Sequence, residues 1–155
     1  IRDTPYKIPL QYCAKDDCCM GKHERLRSAL RKMNVPVRYR ICLFRWSSLG
    51  LPSKILAVPH DDICTHTYLE IKRGARWIVL DATWDKGLSK RFRVNQWNGK
   101  VSTKIAVKSI GIFSPKKSAA IVQKQNKAVI VSDLKVNGTF YKAFNEWLAR
   151  IRKKK

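Results

Sequence analysis

From Cys19 to Met33 the apolar residues Leu26, Ala29, Leu30 and Met33 recur at helical spacing, while Lys and Arg fill the other face. Asn34 and Pro36 follow as a left-handed cap and a breaker, so the pattern predicts a helix ending there. Residues 35–46 change period: Val37, Tyr39, Ile41 and Leu43 alternate with Arg38, Arg40 and Cys42, the mark of a strand. Residues 64–72 alternate again, with Cys64, His66, Tyr68 and Glu70 against Thr65, Thr67, Leu69 and Ile71. Lys72-Arg73-Gly74-Ala75 supplies a turn in which Gly74 is free to take positive φ, and "RWIVLDA" returns as a third strand. In a hairpin over 64–82, His66 lies near one end and Asp81 near the other, and antiparallel pairing lays those ends side by side.

The rest of the chain is less regular. Residues 1–17, with Pro5 and Pro9, read as an irregular arm laid on the domain. Residues 47–62, with Gly50, Pro52 and Pro59, read as a long loop. Residues 118–131 fit a short helix or a strand equally well. Phe140, Phe144, Trp147, Leu148 and Ile151 form an apolar helical stripe. The expectation is one domain over 1–155, with a core at about 12–85 and a C-terminal extension carrying an amphipathic helix at about 139–152.

Composition adds charge. With 33 Lys plus Arg against 11 Asp plus Glu, the net charge is +22. Such a field attracts polyanions, but the basic residues are spread along the whole chain, so nucleic-acid binding ranks below a soluble basic surface. The terminal Lys153-Lys154-Lys155 reads as a frayed, solvated end. Calcium is not expected, because it needs gathered carboxylates. No run is long enough for a membrane helix, and no apolar segment near Ile1 reads as a signal peptide. Five cysteines is an odd number, and adjacent Cys18 and Cys19 suit a disulfide framework poorly. These features point to free thiols in a reducing, cytoplasmic setting. Composition says nothing about oligomeric state.

Free thiols bring in chemistry. Cys19 stands where the first helix begins, and a helix N-terminus lowers a thiol pKa. The unpaired N–H groups of that turn suit an oxyanion, His66 suits a base, and Asp81 suits the group that orients it. Cys13, Cys18, Cys42 and Cys64 read as small buried hydrophobes, and His23 as a surface residue. A zinc site from Cys18, Cys19, His23, Cys64 and His66 is the chemical rival. It ranks low, because adjacent cysteines bind a tetrahedral ion poorly.

The stretch "CMGKHERLRSALRKMNVPVR" resembles the transglutaminase-like core of the papain-type cysteine enzymes. That family places a Cys at a helix start, a Lys shortly after, an apolar-striped helix, and Gly-Ile-Pro-Ala-Arg leading into a strand. Lys22, Leu30, Val35, Pro36 and Arg38 fall in register with Cys19 as nucleophile. The family's second block has a His, an aromatic and a Glu beyond it, then a Trp and Asp-Pro-Thr. His66, Tyr68, Glu70, Trp77 and "DAT" at 81–83 are similar. Asp17-Cys18-Cys19 replaces the usual Gly-Asp-Cys, Asn34 a Gly, and Ala82 a Pro. Choosing Cys18 instead breaks the register with Lys22, Pro36 and Arg38.

The resemblance implies an α+β fold with the nucleophile-bearing helix packed on an antiparallel sheet. It also implies a Cys19-His66-Asp81 triad acting on amide or thioester carbonyls without metal or cofactor. Around the triad, Tyr12 is the candidate second oxyanion donor, and Cys18, Tyr68, Glu70 and Trp77 are supporting positions, with Arg38 expected to anchor Glu70. The expected substrate is a protein or peptide, of acidic character if the surface charge selects it. Hydrolysis ranks ahead of cross-linking. The alternative is an inactive scaffold of the same fold that binds nucleic acid or another polyanion.

Overall fold

The computed structural model describes residues 1–153. Its elements run α1 (Cys19–Lys32), β1 (Val37–Arg45), α2 (Ser53–Leu56), β2 (Ile63–Arg73), β3 (Arg76–Leu80), β4 (Ser109–Ile112), α3 (Pro115–Gln123) and α4 (Lys127–Lys153). The fold is α+β, with one antiparallel sheet of order β3-β2-β1-β4.

The helix α1 ends as its sequence predicts. Asn34 takes φ 56°, its N–H meets the Arg31 carbonyl at 3.0 Å, and the Val35 N–H meets the Leu30 carbonyl at 3.0 Å. This six-residue closure satisfies two carbonyls at the helix end, and Pro36 then prevents continuation. The helix packs on β2 and β1, with Leu26 and Leu30 against Tyr39, Leu69, Ile71 and Leu80. Gly74 turns the hairpin with φ 58°.

β2 departs from simple alternation. Residues 66–71 are buried on both faces, because β2 is an inner strand of the sheet. β4 is a strand that periodicity does not reveal, since four residues, "SIGI", are too short for a pattern.

The larger core joins distant segments. Phe140, Tyr141, Phe144 and Leu148 of α4 pack with Tyr6 and Ile8 of the arm, Phe44 of β1, Trp46 just after it, and Trp84 and Leu88. Residues 47–62 are not a plain loop: Trp46–Leu49 and α2 are helical turns that tuck Leu51 and Ile55 into this core. The C-terminal helix is also longer than expected, beginning at Lys127. Gly138 and the weak helix formers around it argue locally for a break. Tertiary bonds override that preference: Asn137 is buried, accepts the Asp61 N–H at 2.9 Å and donates to Asp133 at 2.8 Å. Lys154 and Lys155, read from sequence as part of a solvated end, lie outside the described residues.

Candidate active site

Cys19 is the first residue of α1, and Cys18 is its N-cap, with extended backbone (φ −83°, ψ −170°). The Cys18 N–H is held by Asp16 Oδ1 at 2.8 Å, which sets the angle at which the chain enters the helix. Gly21 is needed at that entry. A Cβ there would lie 2.1 Å from the Asp16 carbonyl oxygen, so only glycine lets the preceding loop lie on the first turn.

His66 sits in β2 opposite Cys42. Its Nε2 donates to Asp81 Oδ2 at 2.8 Å, which leaves Nδ1 for the sulfur. Tyr68, two residues along the strand, stacks its ring on the imidazole at 6.2 Å and 18°. Asp81 follows β3 and is 1% exposed. Thr83 N–H donates to its Oδ1 at 3.0 Å and Ala106 N–H to its Oδ2 at 2.8 Å. Burial alone would raise this carboxyl pKa; the His66 imidazolium and the donors outweigh burial and hold it well below the ordinary carboxylate range.

Cys18, His66 and the Thr67 backbone surround the Cys19 sulfur. The Cys18 thiol is the largest influence holding the Cys19 pKa well below that of a free thiol; burial opposes this, and the charge on His66 reinforces it. The backbone N–H of Thr67 adds to the lowering. Sheet register explains that donor. Ile41, the β1 partner of Thr67, gives its N–H to Ser118 and its carbonyl to Phe113, so the pair is not bonded to each other. Thr67 therefore turns its N–H to the far side of β2, where pairing with β3 has already ended at Leu69. Burial disfavours the charged form of His66, but Asp81 and Cys19 together raise its pKa well above that of free imidazole. The favoured state is a thiolate–imidazolium pair braced by a carboxylate.

His23 is a correction to the sequence reading. It is wholly buried, not on the surface. Its Nδ1–H donates to the Cys19 carbonyl at 2.7 Å, and its Nε2 accepts the Ala82 N–H at 3.0 Å. Burial lowers its pKa, so it is a neutral strut between the first turn of α1 and the segment after β3 that carries Asp81. Its place four residues after Cys19, on the same helix face, was the available signal. Lys22 is wholly buried as well, and its Nζ donates to the carbonyls of Arg2, Thr4 and Thr83 at 2.7, 2.9 and 2.8 Å. Burial pulls its pKa down to about 8.

Other expected site residues lie elsewhere. Tyr12 is 46% exposed in the arm and does not line the cavity at Cys19, so it is not placed as an oxyanion donor. Trp77 is 36% exposed on β3, with the Arg38 guanidinium 4.0 Å over its ring, and it neither walls the site nor joins the core. Glu70 is bound by Arg38 at 2.7 Å and Arg40 at 2.6 Å, a structural ion pair on β1 and β2. All five thiols are free; Cys42 is buried, Cys18 and Cys64 are half-buried in the cavity wall, and Cys13 is exposed, contrary to the expectation of burial. Among the described residues, no three His, Cys, Asp or Glu side chains gather as a metal ion would need.

Cys19 and His66 open onto a cavity of about 350 Å³, walled by Tyr6, Phe44, Trp46, Trp84 and the α4 residues Ile130 and Leu134 among others. That volume suits a side chain or small ligand. Comparison with protein-family models, with curated proteins and with solved structures gave no match.

Proposed function

We propose that this protein is a transglutaminase-like cysteine enzyme that hydrolyses amide bonds through a thioester. The observation that carries the reading is the relay from Asp81 through His66, bonded at 2.8 Å, to a Cys19 sulfur on the wall of an open cavity. The resemblance of residues 19–38 and 66–83 to the two blocks of that family supports it.

The thiolate attacks the carbonyl carbon, and the oxygen becomes an oxyanion near the unpaired N–H of Cys19. The His66 imidazolium passes its proton to the leaving amine as the C–N bond breaks, giving a thioester and neutral imidazole. Water then attacks the thioester while His66 takes its proton, and the thiolate departs with a carboxylic acid product. Asp81 stays ionised throughout and holds the ring in the right tautomer. An amine in place of water gives transfer by the same steps.

Iodoacetamide labelling with mass mapping tests the pairing. Cys19 should react fastest of the five thiols near neutral pH, and His66→Ala should slow it by about ten-fold or more. Equal labelling of all five thiols would refute activation. Thiol inertness joined to salt-sensitive nucleic-acid binding would favour the polyanion-binding scaffold instead.

A further inference from the structure

The proposed chemistry leaves the identity of the acyl group open, and the charge of the cavity wall bears on it. The chain carries 33 Lys and Arg, yet none of the cavity's lining residues is Lys or Arg. The lining carboxylates are Asp16 and Asp133. Asp16 is engaged by the Cys18 N–H. Asp133, on α4, takes the Asn137 amide at 2.8 Å and the Tyr141 hydroxyl at 3.1 Å, both on Oδ1. Neutral donors thus fix the orientation of this carboxylate without neutralising it. No Lys or Arg among the described residues pairs with it, despite the three-fold excess of base in the chain. Asp133, Cys64 and Cys19 all line this one cavity, so the carboxylate and the proposed nucleophile share its wall.

A carboxylate held by fixed neutral donors, beside aromatic walls and with no Lys or Arg in the lining, is suited to an apolar chain ending in a positive charge. We propose that the acyl substrate carries a cationic side chain and that Asp133 selects it. This assignment rests on the cysteine-enzyme reading above. It also separates two fields: the outer surface is strongly positive, as the composition requires, while the cavity wall carries carboxylates and no Lys or Arg. An acidic side chain, the expectation from net charge alone, would meet Asp133 and the polarised thiolate at close range.

Charge-matched thiosulfonates read this directly. In each, the thiolate attacks the sulfenyl sulfur, a new S–S bond forms, and methanesulfinate leaves. The probes are aminoethyl (cationic), sulfonatoethyl (anionic) and methyl (neutral) methanethiosulfonate, with modification followed at each cysteine by mass mapping. Exposed Cys13 serves as an internal reporter of the outer field. The cationic-to-anionic rate ratio should be about five-fold or more higher at Cys19 than at Cys13, and Asp133→Asn should lower the Cys19 ratio about three-fold or more. Asparagine keeps an oxygen for Asn137 and Tyr141, so the helix contacts survive. Glu146→Gln, the same charge change at an exposed α4 position outside the cavity wall, should leave the Cys19 ratio in place.

If the neutral reagent finds Cys19 no faster than Cys13, the enzyme reading falls and takes the substrate assignment with it. A fast Cys19 that prefers the anionic reagent, or whose preference is untouched by Asp133→Asn, overturns the substrate assignment alone.

Discussion

At the scale of single residues, the reactivity proposed for Cys19 depends on what surrounds its sulfur. Cys18 is the largest influence holding the Cys19 pKa down, so in the proposed enzyme the doubled cysteine has a chemical role beyond its place as N-cap. Cys18→Ala should move the acid limb of Cys19 alkylation to higher pH. The sign follows from linkage: a donor to the charged form holds the pKa down, and its loss lets the pKa rise. At pH 6 the labelling rate should fall about three- to ten-fold, and Cys18→Ser, which restores a donor, should recover most of it. A limb that does not move would remove Cys18 from the mechanism. Cys64 is an internal contrast, since burial pushes its thiol up to about 12 and it should stay unlabelled at pH 6.

At the scale of elements, the site depends on how tightly the loop before α1 lies against its first turn. Gly21→Ala places a methyl group 2.1 Å from the Asp16 carbonyl oxygen, which is backbone and cannot swing aside. The expected cost is about 1–3 kcal/mol of stability, as for other overpacked sites. A second effect should accompany it: the Asp16–Cys18 segment shifts, and Cys19 loses part of its labelling advantage. Thermal unfolding and labelling of the same variant check both. Unchanged melting would mean that the loop is not seated as described. His23 belongs to this scale too, for it ties the first turn of α1 to the segment after β3 that carries Asp81.

At the scale of the whole molecule, the arm, α1 and the segment after β3 are joined through one ammonium group. Lys22 donates three hydrogen bonds to carbonyls from the arm and from Thr83. Lys22→Met keeps the length of the side chain but strands those carbonyls, at an expected cost of about 2–4 kcal/mol. The arm should then become sensitive to limited proteolysis. An arm as resistant as in the unaltered chain would show that the ammonium does not hold it. The pH dependence runs the other way from a usual ion pair. Folding lowers the Lys22 pKa from 10.5 to about 8, so the unfolded chain binds more protons in that window. Stability from this group therefore rises with pH between those values, and Lys22→Met should abolish the rise in denaturant unfolding.

The two scales of information divide along physical lines. Period, cap and turn chemistry are properties of neighbouring residues. Hence α1 with its Asn34 cap, β1, and the β2–β3 hairpin were legible from the chain, and so was the approach of His66 to Asp81. The C-terminal stripe was legible in type but not in length, because Asn137 ties α4 to Asp61, a partner far away in sequence. What only the folded chain decided depends on contacts across it. The Thr67 N–H is free for the sulfur because β3 stops short, and His23 and Lys22 are buried because the arm and the segment after β3 close over them. The cavity wall carries a carboxylate and neither Lys nor Arg, because α4 brings Asp133 to it while the long basic side chains stay out. A charge count sums over the molecule and carries no address; burial and register supply the address.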